Sequence, residues 1–290
     1  MSEVAEVGVE VEVVKTGDLP IPTAYVFPER SNPLTRFATV LDPRGEKLRS
    51  QCLAYVVRHP SEGAFLIDTG FHPDAASDLR QDFGWRMGLM FAGLRPAADP
   101  FDAQLRRLGI KPAAVERVVM THLHVDHTSG MRLLPNARFA ITTAEWDAAT
   151  ASLSANRGYA AHHLPSADRV ERIDFDADPT PFGPFARTID WLGDGSVRLI
   201  STPGHTPGHM SVLLRVADRG QVLIVGDTAY TLRSIAEQRV PLLAGGGGAA
   251  CRRSLAELNT FVDEHPDAVA VPTHDPAAWR ELESPIAATA

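Results

Sequence analysis

Length, composition and charge exclude several classes of protein. The chain has 290 residues, of which 44% are hydrophobic and 22% charged, a composition typical of a globular protein that buries its core without disulfides. A formal net charge of −8 argues against nucleic acid or an anionic membrane as a partner, and no apolar run is long enough to span a bilayer.

The cysteines and the N-terminus indicate a compartment. Cys52 and Cys251 are the only cysteines and lie far apart in the sequence, so we expect no disulfide framework. Residues 1–12 are acidic and lack the basic and apolar regions of a secretory signal. These features predict a cytoplasmic protein.

The first 70 residues predict mainly strands. Alternating valine and glutamate over residues 7–14 indicate a strand with one solvent-exposed face, and residues 23–27 are a second candidate strand. Prolines and charges over 28–49 indicate a loop, with a short strand at 37–41 as an option. The β-rich runs 52–58 and 64–67 predict a hairpin whose second strand ends at Asp68.

Residues 71–155 begin with a segment that has no regular period. Residues 71–100 combine methionine and aromatic side chains with glycines, which fits either an ordinary packed excursion or an apolar lid or dimer contact. The following patterns predict helices at 101–108, 128–134 and 143–153, and strands at 115–120 and 138–141.

Residues 156–290 begin with a polar, proline-rich stretch over 156–183. His162 and His163 lie within it, and we interpret both as surface or pocket-rim residues because no strand end presents them. Later patterns predict strands at 185–191, 197–200, 211–216, 222–225 and 268–271, and helices at 229–237 and 249–265.

One motif concentrates groups that bind metals. In the sequence THLHVDH, residues 121–127, three imidazoles and a carboxylate follow a predicted buried strand. His122 and His124 are two residues apart and can face one point, whereas Asp126 and His127 come after the chain has turned and can face a second point. Neutral imidazole and carboxylate are ligands of zinc and similar metals. One loop could therefore hold two adjacent cations.

Three further strands end in residues of the same chemical types. His205 follows the strand 197–200, Asp227 follows 222–225, and His274 follows 268–271. Two prolines and two glycines tighten the turn around 202–209, so only one of His205 and His209 can easily point toward the first loop. The repeated pattern predicts a single domain, 1–290, made of duplicated halves, about 1–155 and 185–290, with 71–100 and 156–183 as lid or substrate-loop insertions.

Together these motifs resemble the metallo-β-lactamase superfamily. The matching pieces are residues 66–70, 121–127, 202–209, 225–227 and 273–275, in the expected order. The resemblance implies an α/β fold, the αββα sandwich, with a dinuclear metal site at the sheet edge. It implies His122, His124 and His205 on one metal, Asp126, His127 and His274 on the other, and Asp227 bridging. It also implies a structural role for His209 and an orienting role for Asp68 behind the site.

Within this superfamily the chain is most similar to the N-acyl homoserine lactonases, the quorum-quenching branch. The resemblance implies two divalent metals, zinc first, with iron, cobalt or manganese as options, and no redox or nucleotide cofactor. It implies lactone opening by a metal-bridging hydroxide, with Asp126 carrying a proton and Tyr230 donating to the carbonyl. Val125 and Thr128-Ser129 depart from the branch, and 71–100 and 156–183 do not align.

Other readings of the same site remain open. A thioesterase of the glyoxalase II type or an organophosphate triesterase would use the same nucleophile, and a β-lactamase fits less well because of Asp227. A diiron oxidoreductase would need more carboxylate ligands, and a nuclease would need a basic surface. From a different class, a non-catalytic metal-binding protein would retain metal without hydrolysing any ester. A homodimer through 71–100 is a further hypothesis.

Overall fold

Two β-sheets form the centre of the protein. The computed structural model describes residues 7–28, 39, 42, 44–91 and 93–283. One sheet has seven strands in the order β4-β1-β2-β3-β5-β6-β7, and the other has six in the order β13-β12-β11-β10-β9-β8. The bounds of the strands of the first sheet are β1 Glu10–Pro22, β2 Lys47–His59, β3 Gly63–Ile67, β4 Arg95–Pro96, β5 Arg117–Val119, β6 Arg138–Thr142 and β7 Val170–Ile173. Those of the second are β8 Thr180–Phe182, β9 Phe185–Asp190, β10 Val197–Ser201, β11 Met210–Val216, β12 Gly220–Gly226 and β13 Val269–Pro272.

The helices are mostly short. Their bounds are α1 Thr23–Val26, α2 Leu79–Phe83, α3 Trp85–Met90, α4 Phe101–Arg107, α5 Val125–Thr128, α6 Thr143–Thr150, α7 Leu232–Ala236, α8 Gly248–Glu264 and α9 Arg280–Glu283. Among the described residues no helix is both long and apolar enough to cross a membrane.

Side-chain alternation along the strands produces the layers. In β2, Leu53 and Tyr55 join the apolar core shared by the two sheets, whereas Ala54 and Val56 face the core that contains Phe101 of α4. The second sheet repeats this arrangement, with α8 covering its outer face through side chains that include Leu255, Leu258 and Phe261. Helices therefore cover the outer faces of two stacked sheets, which confirms the predicted αββα sandwich.

Most predicted elements are confirmed. The hairpin of β2 and β3 is antiparallel, as is that of β11 and β12, and the helix predicted at 101–108 is α4. The helix predicted at 229–237 begins only at Leu232, because the Thr231 hydroxyl accepts from the Ser234 amide and caps the first turn. The predicted helix 128–134 is a 3₁₀ turn, Ser129–Leu133, that continues α5.

One predicted strand is wrong. Residues 23–27 are not a strand, because pairing of β1 with β2 ends at Pro22 opposite Lys47 and the chain then turns into α1. The stretch 156–183 contributes two strands that its local pattern did not indicate, since β7 pairs in parallel with β6 and β8 pairs with β9. Sheet pairing outweighs the weak local pattern there. The strand option at 37–41 falls, apart from Thr39, outside the described residues.

The topology brings several strand ends to one edge of the sandwich. β3, β5 and β6 are parallel neighbours in the first sheet, and β12 and β13 are parallel neighbours in the second. The loops after β3, β5, β10, β12 and β13 carry the polar residues singled out in the sequence. A buried apolar layer between the sheets therefore fixes the distances between these loops.

Leu199→Ala should reveal how much this layer stabilises the protein. Leu199 lies on β10, fully buried between the sheets, and its truncation should cost about 2–5 kcal/mol of unfolding free energy. Chemical denaturation measures the change. The control is Leu153→Ala, at a side chain that is 77% exposed, where a change within about 0.5 kcal/mol is expected. Equal effects of the two variants would contradict the assignment of the core.

Candidate metal centre

The structure brings together all seven residues that the sequence singled out as metal ligands. Four lie on the loop after β5, where α5 begins at Val125 and its first turn carries Asp126 and His127. The remaining three follow β10, β12 and β13. They form two groups, in each of which one ligand atom per residue lies within 4.8 Å of the others: His122, His124 and His205, and Asp126, His127, Asp227 and His274.

Asp227 lies between the two groups. Its Oδ2 atom is 3.6 Å from His205 Nε2 and 4.0 Å from His122 Nε2, which belong to the first group. The same oxygen is 3.1 Å from His274 Nε2, and Oδ1 is 3.4 Å from His127 Nε2, both in the second. A carboxylate in this position can contact two cations at once. The carboxylate itself is only 2% exposed.

The donor atoms have the character that metal ligands need. His122 Nε2, His127 Nε2 and Asp227 Oδ1 are buried and have no hydrogen-bond partner among the described residues. Unpartnered buried polar atoms are costly unless something binds them. The residues present therefore fit a pair of divalent cations, which accept such lone pairs.

Local environment sets the charge of these groups. Burial, together with the charges of neighbouring imidazoles, holds the pKa of His122 and of His205 well below the usual range. Both rings are therefore neutral and can offer a nitrogen lone pair to a cation. Burial alone would raise the pKa of Asp227, but the facing imidazoles of His274 and His127 hold it well below its usual range. The carboxylate is therefore ionised.

Asp68 orients one candidate ligand, His127, from behind. Its Oδ2 atom lies 2.8 Å from His127 Nδ1, and its carboxylate also accepts from the Thr121 amide at 2.8 Å and the Thr121 hydroxyl at 2.7 Å. Because a carboxylate only accepts, the proton of His127 resides on Nδ1 and Nε2 faces the cluster. Asp68 adopts a φ of 57°, an uncommon value for a residue other than glycine, directly after β3.

His209 supports the cluster without belonging to either ligand group. Its Nε2 accepts from the Asp227 amide at 3.0 Å, so Nδ1 carries the proton toward the hydroxyls of Thr202 and Thr228. Burial lowers the pKa of His209 to about 3, which keeps the ring neutral. Gly226 has a φ of 64°, and a Cβ there would lie 2.6 Å from His209 Nε2. The ring and the glycine together set the position of Asp227.

Glu145 is a buried carboxylate that the sequence interpretation missed. It lies on α6 with an exposure of 1%. Its Oε1 accepts from the Leu123 amide at 2.9 Å, between two ligand histidines, and its Oε2 accepts from the Gly208 amide at 3.1 Å, in the loop of His205. The Thr142 hydroxyl, which donates to the Gly208 carbonyl at 2.6 Å, reinforces this link. One side chain thus joins two ligand loops that come from different sheets.

Tyr230 lies against the ligand cluster. Its ring stacks on His274 at 5.2 Å and contacts His205 edge-on at 5.7 Å. Burial raises the pKa of Tyr230 well above its usual range, so the phenol is a neutral hydrogen-bond donor. Tyr25, which the sequence did not indicate, packs edge-on against Tyr230 at 5.7 Å.

The two adjacent histidines of the 156–183 stretch differ in exposure. His162 is exposed, as predicted, whereas His163 is buried with 2% exposure, so its prediction as a surface or pocket-rim residue is wrong. His163 is buried because its ring bridges two polar groups on separate segments, Thr128 and the backbone of Asp82. No local pattern of residues indicates such a partnership.

The geometry agrees with a match to a known family. The family model for the metallo-beta-lactamase superfamily matches residues 48–277. The chain belongs to the metallo-β-lactamase superfamily. As a member of this superfamily it carries the expected sandwich, and the matched range includes all seven residues of the two ligand groups.

Curated proteins and solved structures show which members of the superfamily are similar to the chain. The chain is 34% identical over 235 residues to N-acyl homoserine lactonase AttM of Rhizobium radiobacter, covering 79% of this chain and 83% of that protein. A solved N-acyl homoserine lactone hydrolase, with the product N-hexanoyl-L-homoserine at its catalytic metal centre, superposes with a TM-score of 0.72 at 20% identity, covering 96% and 98% of the two chains. AidC, a dizinc quorum-quenching lactonase, gives 0.57 at 16% identity, covering 93% and 89%.

Glu145→Gln should weaken metal binding. The amide keeps one acceptor but places an NH₂ group against one of the two backbone N–H donors, so one ligand loop loses its tie. We expect metal affinity to fall on the order of 10–100-fold, as when other residues that orient ligands are changed. Competition with a chelating dye measures it.

The control for this variant is Glu264→Gln, at an exposed glutamate of α8. It makes the same chemical change far from the ligand loops and should leave the affinity unaltered. Unchanged affinity in Glu145→Gln would show that the two loops hold their positions without it.

Proposed function

We propose that this protein is a dinuclear metal-dependent lactonase that opens N-acyl homoserine lactones. One observation carries the proposal: seven imidazole and carboxylate ligands converge at a buried edge of the sandwich, with unpartnered lone pairs and a neutral phenol beside them. The similarity to curated N-acyl homoserine lactonases supports the substrate class.

The proposed ligand assignment follows the two groups. His122, His124 and His205 would hold one cation, Asp126, His127 and His274 the other, and Asp227 would bridge them. Zinc is the proposed metal, because imidazole and carboxylate are among its usual ligands; iron, cobalt and manganese accept the same donors. When bound, the pair supplies a water of lowered pKa and polarises the ester carbonyl.

The protein side chains perform the remaining chemistry. Tyr230, a neutral donor beside His274, would donate a hydrogen bond to the carbonyl oxygen as negative charge develops there. Asp126, 5% exposed and 3.6 Å from His274 Nε2 through Oδ2, would accept a proton and return it to the leaving alkoxide. Burial of both groups excludes bulk water, which strengthens their electrostatic contribution.

The domain organisation, compartment and assembly are further proposals. The first sheet comes from residues 10–173 and the second from 180–272, which supports one domain of two halves, with 71–100 and 156–183 shaping the substrate site. Cys52 and Cys251 are both free and buried, in keeping with a cytoplasmic enzyme. A homodimer through 71–100 has one feature in its favour, the 66% exposure of Trp85.

Metal-dependent ring opening is the first test. Homoserine lactones with short, medium and long acyl chains are offered to metal-loaded and chelator-treated protein, and acid release is measured. We expect turnover only with metal, restored by zinc more fully than by manganese, cobalt or ferrous iron. Thioesters and phosphotriesters are assayed in parallel, and preferential turnover of either would replace the lactonase proposal.

A ligand variant gives the matched comparison for this test. Asp227→Ala should behave like chelated protein and lose metal, because it removes the carboxylate shared by both groups. Asp218→Ala, at an exposed aspartate in the turn between β11 and β12, should retain metal and activity. A fully active Asp227→Ala protein would refute the proposed site.

Tyr230→Phe tests the hydrogen-bond donor. Removal of the hydroxyl should lower kcat roughly 100-fold, the loss typical of one donor to a developing oxyanion, while the metal content stays unchanged. Tyr55→Phe, at a fully buried tyrosine between the sheets, is the matched control and should keep its kcat. An unchanged rate in Tyr230→Phe would remove this residue from the mechanism.

A further inference from the structure

A third group of possible metal ligands lies beside the metal centre. Asp82, His162 and His163 offer atoms within 4.8 Å of one another. Their surroundings do not suit a cation, because the Arg132 guanidinium pairs with Asp82, whose side chain is 1% exposed. Both nitrogens of His163 are also engaged, Nδ1 with Thr128 Oγ1 at 2.9 Å and Nε2 with the Asp82 carbonyl at 2.8 Å. The cluster is instead a closed polar network.

This network joins three segments that are distant in sequence. Asp82 comes from α2, within the segment 71–100, and His163 comes from the stretch 156–183. Ser129 and Arg132 follow directly after the loop that carries the four ligand residues 122–127, and the Ser129 hydroxyl donates to Asp82. The same hydroxyl accepts from the His72 amide at 2.9 Å. Asp82 is therefore one of the points at which both of these segments meet the chain around the ligand loop.

The charges around Asp82 stabilise its contacts with His163, Ser129 and Arg132. Burial alone would raise the pKa of Asp82, but hydrogen bonds from His163 and Ser129 and the charge of Arg132 hold it below its usual range. His163 must carry its proton on Nε2, since a carbonyl only accepts. Burial lowers the pKa of His163, so its Nδ1 is free to accept from the Thr128 hydroxyl. An ionised carboxylate with three donors is tightly held, and loss of one partner is costly.

Phe83, the residue after Asp82, connects this polar network with an apolar cluster beside the metal centre. Phe83 packs between Phe71 and Phe91, at ring distances of 5.6 and 5.2 Å. The apolar cluster that contains these rings also contains Val125, from the ligand loop, and Tyr230. This cluster, which we call the apolar wall, therefore borders the metal centre through Val125 and Tyr230. An acyl chain bound beside that centre would need such an apolar surface.

We propose that Asp82 is a positioning residue that ties the apolar wall to the ligand loop and thereby sets acyl-chain selectivity. The inference rests on the proposed lactonase function for its effect on substrates, but the tie itself does not depend on that function. Loss of the Asp82 charge should loosen 79–91 while the ligands remain in place, because among the described residues none of the seven ligand side chains forms a hydrogen bond or ion pair with Asp82.

The test compares Asp82→Asn with Asp74→Asn, which makes the same change at an exposed aspartate of the same segment. Hydrogen exchange of metal-loaded protein is followed by mass spectrometry. In Asp82→Asn we expect amides of 79–91 to exchange roughly tenfold faster or more, with a metal content equal to that of the wild type. Asp74→Asn should match the wild type. Unchanged exchange over 79–91 in Asp82→Asn would contradict the proposal that Asp82 holds this segment against the ligand loop.

Kinetics on the acyl panel test the effect on selectivity. We expect the KM of Asp82→Asn to rise with acyl length, by roughly tenfold for the longest chains, and kcat to change little. An equal loss for all chain lengths, or a fall in kcat alone, would overturn the role in selectivity. If the wild-type protein opens no lactone, the proposed function fails. The hydrogen-exchange experiment still tests whether Asp82 holds 79–91 against the ligand loop.

Two further measurements keep the inference falsifiable. Ser129→Ala removes one donor without leaving Arg132 unpaired, and it should give a smaller change of the same kind if Asp82→Asn does not fold. A third equivalent of bound zinc that disappears in His162→Ala would show that the cluster is a metal site, which would overturn the link.

Discussion

The Asp227 carboxylate is ionised and almost completely buried, with imidazoles within 4.0 Å on both of its oxygens. A buried charge is tolerated only where paired groups compensate its desolvation. The four facing imidazoles come from both sheets, so this compensation exists only when the sandwich has assembled. The metal centre is therefore a property of the packed sheets and not of any one loop.

Three buried side chains behind the ligand residues hold the site in place through hydrogen bonds to the scaffold. Asp68 fixes the tautomer of His127, His209 holds the Asp227 amide, and Glu145 joins the loops after β5 and β10. All three are buried and bond to backbone or ring nitrogens, which have little freedom to move. Such support from outside the ligand set is what usually fixes ligand geometry in metal enzymes.

The apolar side of the site is built differently. Tyr230 and Tyr25 pack with the edge of one ring against the face of the other, and the apolar wall continues from them toward Phe83 and Phe91. These side chains belong to short helices and loops, whereas the ligands follow strands of two sheets. Loops on a rigid scaffold can vary while the chemistry is retained.

The sequence by itself determined most of the strands and the seven ligand-type residues, because strand periodicity and a histidine-rich motif are local signals, and its resemblance to a known superfamily implied the sandwich. It did not reveal Glu145, whose partners lie 22 and 63 residues away, or the link of His163 to Asp82 across 81 residues. It also misplaced 23–27, where the end of pairing with β2 decided the conformation. These features were decided only by the tertiary structure, since a hydrogen bond between distant segments leaves no periodic trace in either of them.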